Sequence, residues 1–319
     1  MLHVPYAHAV VVSIGVCYGM SANNLPAAST IVGMFKSNRI KSMRLYTPDQ
    51  AALQAVGGTG IYMVVGAPND VIPNLAVSPA AAASWVRSNI QAYPKVSFRY
   101  ACIGNEVAGG ATRNLVPAMK NVHGALASAG LGHIKVTTSV SQAILGRGPG
   151  CICSKIYFRY SPPSAGSFTA EAASFMGPVL QFLARTRAPL MANIYPYLAW
   201  AYNPSAMDRS YALFTASSTV VQYGGFGYQN LFDPTVDAFY TAMAKHSGFN
   251  VKLVVSESAN ARFYNQHLIN HVGRGTPRHQ VAIETYIFAM SNENQKASGV
   301  EQHWGLFYPD MQPVYPINF

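Results

Sequence analysis

The chain has 319 residues, half of them apolar and only 11% charged, with Gly and Pro spread evenly and no low-complexity tract or charge run. That composition excludes a disordered chain and describes one globular body with a large core. A net charge of +10 and a pI near 9.4 raise nucleic-acid binding. However, Lys and Arg occur singly, as at Arg39, Lys41, Arg44, Arg87, Lys95 and Arg99, with no basic patch interleaved with aromatics, so no nucleic-acid partner is expected. The excess charge suits solubility or adhesion to an anionic polymer or membrane surface.

Met1–Ser13 carries no Lys or Arg ahead of its short apolar stretch and reads as an atypical N-terminal extension (1–13), not a signal peptide. No later stretch reaches the length of a membrane span, so no spanning segment is expected. From residue 14 onward short apolar, β-branched runs alternate with longer segments rich in Ala, Leu and polar residues, the order of a parallel α/β fold. The expected strands are "IGVCYG", "KSMRLY", "IYMVVGA", "SFRYACIGNE", "IKVTTSV", "PLMANIYPY", "VKLVVSES" and "ETYIFAM". Between them, Asn23–Ser37, Pro79–Ala92 and Asn114–Ala129 carry apolar residues at three-to-four spacing and predict amphipathic helices. Eight such units predict a (β/α)8 TIM barrel over residues 14–319, a single domain and a monomer. "QNLFDPTVDAFY", after the sixth strand, reads as an excursion before the next helix.

Cys17 and Cys102 fall inside strand-like runs and are expected as buried free thiols. Cys151 and Cys153 are too close in sequence for the usual zinc-ligand spacing, and no metal is expected. His267 and His271 stand four apart on a helix-like stretch and read as a solvated face. No Gly-x-Ser-x-Gly elbow or phosphate-cradling loop is present.

Barrel enzymes place their chemistry at the C-terminal ends of strands, which makes each of the twelve Asp and Glu residues worth weighing. Asp70, Glu171, Asp208 and Asp310 read as turn or capping residues, Asp233 and Asp237 as structural, and Asp49 and Glu301 as loop residues. Glu106 ends the fourth strand and Glu257 the seventh. Two carboxylates at one rim are the pair that glycoside hydrolysis needs, one as acid and one to attack or to activate water. The alternative is a pair of structural carboxylates, each bound to a Lys or Arg. Downstream, Lys296 could hold Glu293 ionised, while Trp304 and Phe307 are either sugar platforms or core.

Taken together, "IGVCYG", "NNLP", "MRLY", "IGNEVAGG", "SPPSAGSF", "NIYPYLAW", "VVSES", "ETYIFAM" and "HWGLFYP" resemble the plant endo-1,3-β-glucanases of glycoside hydrolase family 17 along almost the whole chain. The resemblance implies a (β/α)8 barrel that hydrolyses internal β-1,3 bonds of glucans with retention and without a cofactor. The biological setting it implies is extracellular or cell-wall glucan turnover or antifungal defence. Glu106 matches the family's acid/base and Glu257 its nucleophile; Tyr46, Asn105, Tyr195, Glu284, Glu293 and Lys296 match positions that line or support the cleft. The chain departs from the family pattern in four places. "ANARFYNQ" follows "VVSES" directly, without the usual "GWPS" and glycine-rich loop; "RGPGCICSKIYFRY" (147–160) lies where the family has a short junction; Met1–Ser13 replaces the secretory signal; and Ser291 stands where Phe is usual. Loss of the Trp platform beside Glu257 costs about 1.5–3 kcal/mol, roughly tenfold to a hundredfold in rate. A displacement near 1 Å costs about another hundredfold. A glucan-binding or catalytically impaired barrel is therefore the alternative expectation. The inserted segment is expected as a surface excursion after the fifth strand.

Overall fold

A computed structural model describes residues 14–146, 163–202, 204–205, 207–259 and 262–319. Its strands are β1 (Ile14–Cys17), β2 (Ser42–Leu45), β3 (Tyr62–Ala67), β4 (Ser97–Asn105), β5 (Lys135–Ser141), β6 (Leu190–Asn193), β7 (Val221–Tyr223), β8 (Phe226–Tyr228), β9 (Leu253–Ser258) and β10 (Thr285–Ile287). Eight of them close into a parallel barrel in the order β1-β10-β9-β6-β5-β4-β3-β2, and β7 and β8 pair separately as an antiparallel hairpin. Each of the eight expected runs contains one barrel strand, so the fold is the (β/α)8 barrel anticipated from the alternation.

The barrel holds together because side chains alternate along each strand, one set facing inward and the next facing the helices. Cys17, Val64, Tyr100, Cys102, Met191, Val254 and Tyr286 pack together inside. Val16, Met43, Val65, Ala101, Ala192 and Val255 belong to the larger core under the helices. Cys17 and Cys102 are free and buried, and burial pushes the Cys17 thiol up to about 12, which leaves it protonated and unreactive.

The three anticipated helices form at Ala28–Ser37, Pro79–Val86 and Leu115–Ser128. Pro26 disfavours helix before the first. The second starts on the Ser78 hydroxyl, which accepts from Ala81 N–H at 3.0 Å, and ends in a π-helical turn over Arg87–Gln91. Asp49 likewise accepts from Ala52 N–H at 2.7 Å to cap Gln50–Val56, and Asp208 from Ser210 N–H at 2.7 Å.

Two expectations are corrected. "QNLFDPTVDAFY" is no excursion: Phe232–Lys245 is itself the long helix between β6 and β9, after two short helical turns at Pro196–Ala201 and Arg209–Ala212. The excursion precedes it and includes the β7–β8 hairpin, whose Gly224 and Gly225 sit at φ +54° and +87°, the left-handed pair that a two-residue hairpin turn requires. His271 is also not on a solvated face. Its Nε2 lies 2.6 Å from Asp233 Oδ1, and its ring packs 5.2 Å from that of Phe214. The Met1–Ser13 extension, Cys151, Cys153 and the segment 147–160 lie outside the described residues.

Candidate active site

The two carboxylates emerge where strand pairing slips. On β4, Cys102 pairs with Thr137 and Asn105 with Ser139, which leaves one extra residue on β4. Gly104, at φ +77°, absorbs the kink, and Glu106 follows at φ +52°. On β9, Val255 pairs with Ala192 and Glu257 with Asn193, again with one extra residue on the strand that carries the carboxylate. A bulge re-aims the side chains beyond it, so each carboxylate turns toward the barrel mouth instead of following the strict alternation.

Glu257 is 7% exposed and has both oxygens engaged: Arg44 Nη1 donates to Oε1 at 2.9 Å, and the Tyr195 hydroxyl donates to Oε2 at 2.7 Å. Burial, and after it the Glu257 carboxylate, pushes the Tyr195 phenol well up, which keeps it a donor. Arg44, 1% exposed, also donates to Ser256 O at 2.7 Å and to Asn105 Oδ1 at 2.9 Å. Removal of such a guanidinium leaves a buried carboxylate unpaired, at a cost of about 3–5 kcal/mol. Asn193 links the two acids: its Nδ2 donates to Glu106 Oε1 at 2.9 Å and to Asn105 Oδ1 at 3.1 Å, while Arg44 Nη1 reaches its Oδ1 at 3.4 Å. Glu106 is exposed to the cleft as a residue, but its carboxyl end sits on the cleft floor. Loss of hydration there pushes it above the usual carboxylate range; the Asn193 bond opposes this and the Glu257 charge adds to it.

These groups lie in a cavity of about 820 Å3. Tyr46, Asn105, Glu106, Tyr195, Glu257, Glu293 and Lys296 all line it, together with Trp304. The Tyr46 ring lies 4.4 Å under the Arg44 guanidinium. Glu293 is buried, accepts from Ser21 N–H at 2.7 Å and pairs with Lys296 Nζ at 3.4 Å. It fits only because Gly19 is bare: a Cβ there would overlap its carboxylate. Trp304 lines the cleft and is at the same time packed as core, at 6% exposure with the Tyr195 and Tyr197 rings each 6.1 Å away. Phe307 is buried core. The Ser291 hydroxyl is buried and finds no partner among the described residues.

Glu284 is the exception and stands corrected as a cleft residue. It precedes β10, at the N-terminal mouth of the barrel. There its carboxylate accepts from the Tyr100 and Tyr286 hydroxyls at 3.0 Å each and pairs with Arg99 at 3.0 Å. Its work is structural. Sequence reasoning missed Arg44 and Asn193, although the signal was present: each is a polar residue within an otherwise apolar strand, where burial requires a partner. Among the described residues no three His, Cys, Asp or Glu side chains gather to hold a metal ion.

A closed parallel barrel with two carboxylates on the floor of an open cleft at the C-terminal ends of its strands defines the glycoside hydrolase class. The chain belongs to glycosyl hydrolases family 17, which it matches over residues 14–319. It is 79% identical over 319 residues to Lichenase-2 of Hordeum vulgare, covering 96% of this chain and 98% of that relative. It is 48% identical over 322 residues to the acidic isoform of glucan endo-1,3-beta-glucosidase of Zea mays, covering 96% and 91%. A solved structure from a study of two plant beta-glucan endohydrolases with distinct substrate specificities superposes with a TM-score of 0.91 at 79% identity, over 96% of this chain and all of that one.

Proposed function

We propose that this protein is a retaining endo-β-glucanase that cleaves internal bonds of 1,3-linked β-glucans. The reading rests above all on Glu106 and Glu257, which face one cleft from two bulged strand ends and are linked through Asn193 and Arg44. Glu257, with both oxygens held, attacks the anomeric carbon while Glu106, whose proton affinity is raised first by loss of hydration, gives its proton to the departing oxygen. The glycosyl–Glu257 ester is then hydrolysed by a water that Glu106, now ionised, deprotonates. Tyr195 and Trp304, which line the cleft, offer aromatic faces to sugar rings.

The relative at 79% identity is named a lichenase, and the glucan endo-1,3-beta-glucosidases stand at 48% and below. That ordering favours a mixed 1,3;1,4-linked glucan such as lichenan as the preferred polymer over a linear 1,3-glucan. The impaired alternative is disfavoured by the Glu257 contacts: although the chain reaches the helix Arg262–His271 soon after β9, Arg44 and Tyr195 both still hold the carboxylate. An extracellular or wall setting accompanies such a substrate.

Reducing-sugar release from lichenan and from a linear 1,3-β-glucan, measured side by side, tests the reading. Lichenan should be the faster substrate. Glu106→Gln and Glu257→Gln should each lose about a hundredfold or more in kcat/KM. Proton NMR of early products should show the β-anomer. A folded protein inactive on both polymers, or an α-anomer formed first, defeats the proposal.

A further inference from the structure

The end of β4 is secured from a side that the ladder does not reach. The last residue of β3 paired with β4 is Ala67, opposite Ile103. Pro68 follows and has no N–H with which to continue the ladder. The backbone donor and acceptor of Asn105 would then face β3 without partners. The Asn69 carboxamide takes that place: its Oδ1 accepts from Asn105 N–H at 2.9 Å, and its Nδ2 donates to Asn105 C=O at 2.9 Å. One side chain thus supplies the donor and the acceptor of a missing strand residue. On the opposite edge Glu106 N–H donates to Ser139 O at 2.9 Å. Flanking the Asn105 anchor, the chain is in left-handed backbone at both Gly104 and Glu106. The Gly104 site is crowded, with Asn69 Oδ1 3.2 Å from where a Cβ would stand. The peptide that Asn69 holds is the one from which the Glu106 side chain leaves the rim.

We propose that Asn69 is a positioning residue for the acid/base Glu106, acting through the Asn105 backbone; this rests on the reading of Glu106 given above. In the first step the glycosidic C–O bond breaks as Glu257 bonds to the anomeric carbon, and the leaving oxygen takes the Glu106 proton. A polysaccharide needs that proton because its leaving group would otherwise depart as an alkoxide. A dinitrophenolate departs unaided. A Glu106 set free to drift therefore slows polymer cleavage and spares the activated aryl glycoside. Loss of an ordinary substrate contact would slow both, since both fill the same glucosyl sites.

The experiment compares kcat/KM, which reports the first step, on lichenan and on a dinitrophenyl β-oligoglucoside for the full-length protein and its Asn69→Ala and Asn69→Asp variants. Asn69→Asp keeps the acceptor for Asn105 N–H but sets an oxygen against its carbonyl. Both variants should fall about tenfold to a hundredfold on the polymer and stay within about threefold of the parent on the aryl substrate. Melting temperatures should be close to the parent's, because Asn69 is exposed. Equal losses on both substrates, or no loss on either, overturn the proposal. Glu106→Gln serves as the control. If it shows the polymer-selective loss and the Asn69 variants do not, only the Asn69 role fails; if Glu106→Gln itself lacks the split, the acid assignment fails and Asn69's role falls with it.

Discussion

Glu106 and Glu257 are the same side chain in different surroundings, and the roles proposed for them follow from that difference. Arg44 and Tyr195 hold both oxygens of Glu257, while Glu106 has one amide donor, Asn193, on the cleft floor. Loss of hydration, with the Glu257 charge adding to it, raises the Glu106 affinity for its proton. A carboxyl raised on folding favours the folded state fully only below its unfolded value, about 4.3. That contribution is lost as pH rises through the folded value, because the ionised form is less welcome in the cleft than in the unfolded chain. Glu106→Gln should therefore melt at a higher temperature than the parent at pH 7, with the difference vanishing near pH 4. Calorimetry at the two pH values checks this, and a variant less stable than the parent at pH 7 contradicts it.

At the scale of elements, the two ends of the barrel do different work. Strand C-termini carry the bulges that aim Glu106 and Glu257, while the N-terminal mouth is closed by Glu284 with Tyr100, Tyr286 and Arg99. Glu284→Gln should destabilise the fold by about 1–3 kcal/mol, because buried tyrosine hydroxyls lose a charged acceptor. It should leave kcat/KM unchanged. Urea denaturation beside a polymer assay separates the two effects; a rate loss without a stability loss would return Glu284 to the cleft. The helix Phe232–Lys245 shows a similar economy: Asp233 and Asp237, one turn apart, bind His271 and His279 from the segment that follows β9. Neither histidine could be matched to its carboxylate from the sequence, since about forty positions separate the partners.

For the whole molecule, 22 Lys and Arg stand against 12 Asp and Glu. Of the Lys and Arg among the described residues, only Arg44, Arg99 and Lys296 form ion pairs with carboxylates. The remaining positive charge is available to hold the enzyme on an anionic polymer. Retention on a polygalacturonate matrix should be strong at about 0.01 M salt and lost by about 0.5 M, as screening shortens from about 30 Å to a few ångströms. Elution volumes across a salt series measure this, and retention indifferent to salt would refute it.

The barrel and its two candidate carboxylates were legible in the order of residues alone. Eight apolar runs separated by amphipathic segments have one economical closure, and Glu106 and Glu257 stand at run ends where an unpaired carboxylate is costly. Tertiary structure decided what those carboxylates face. Arg44 comes from β2, and Asn193 and Tyr195 from the end of β6, across the barrel with three strands between on either side; their meeting depends on barrel closure and on the one-residue slips of β4 and β9. It also supplied the partners of Glu284, which heads the run "ETYIFAM" and so lies at the N-terminal mouth: Tyr100, Tyr286 and Arg99. Local patterning is written in neighbouring residues, whereas register and partnership across a closed sheet arise only when distant strands are packed together.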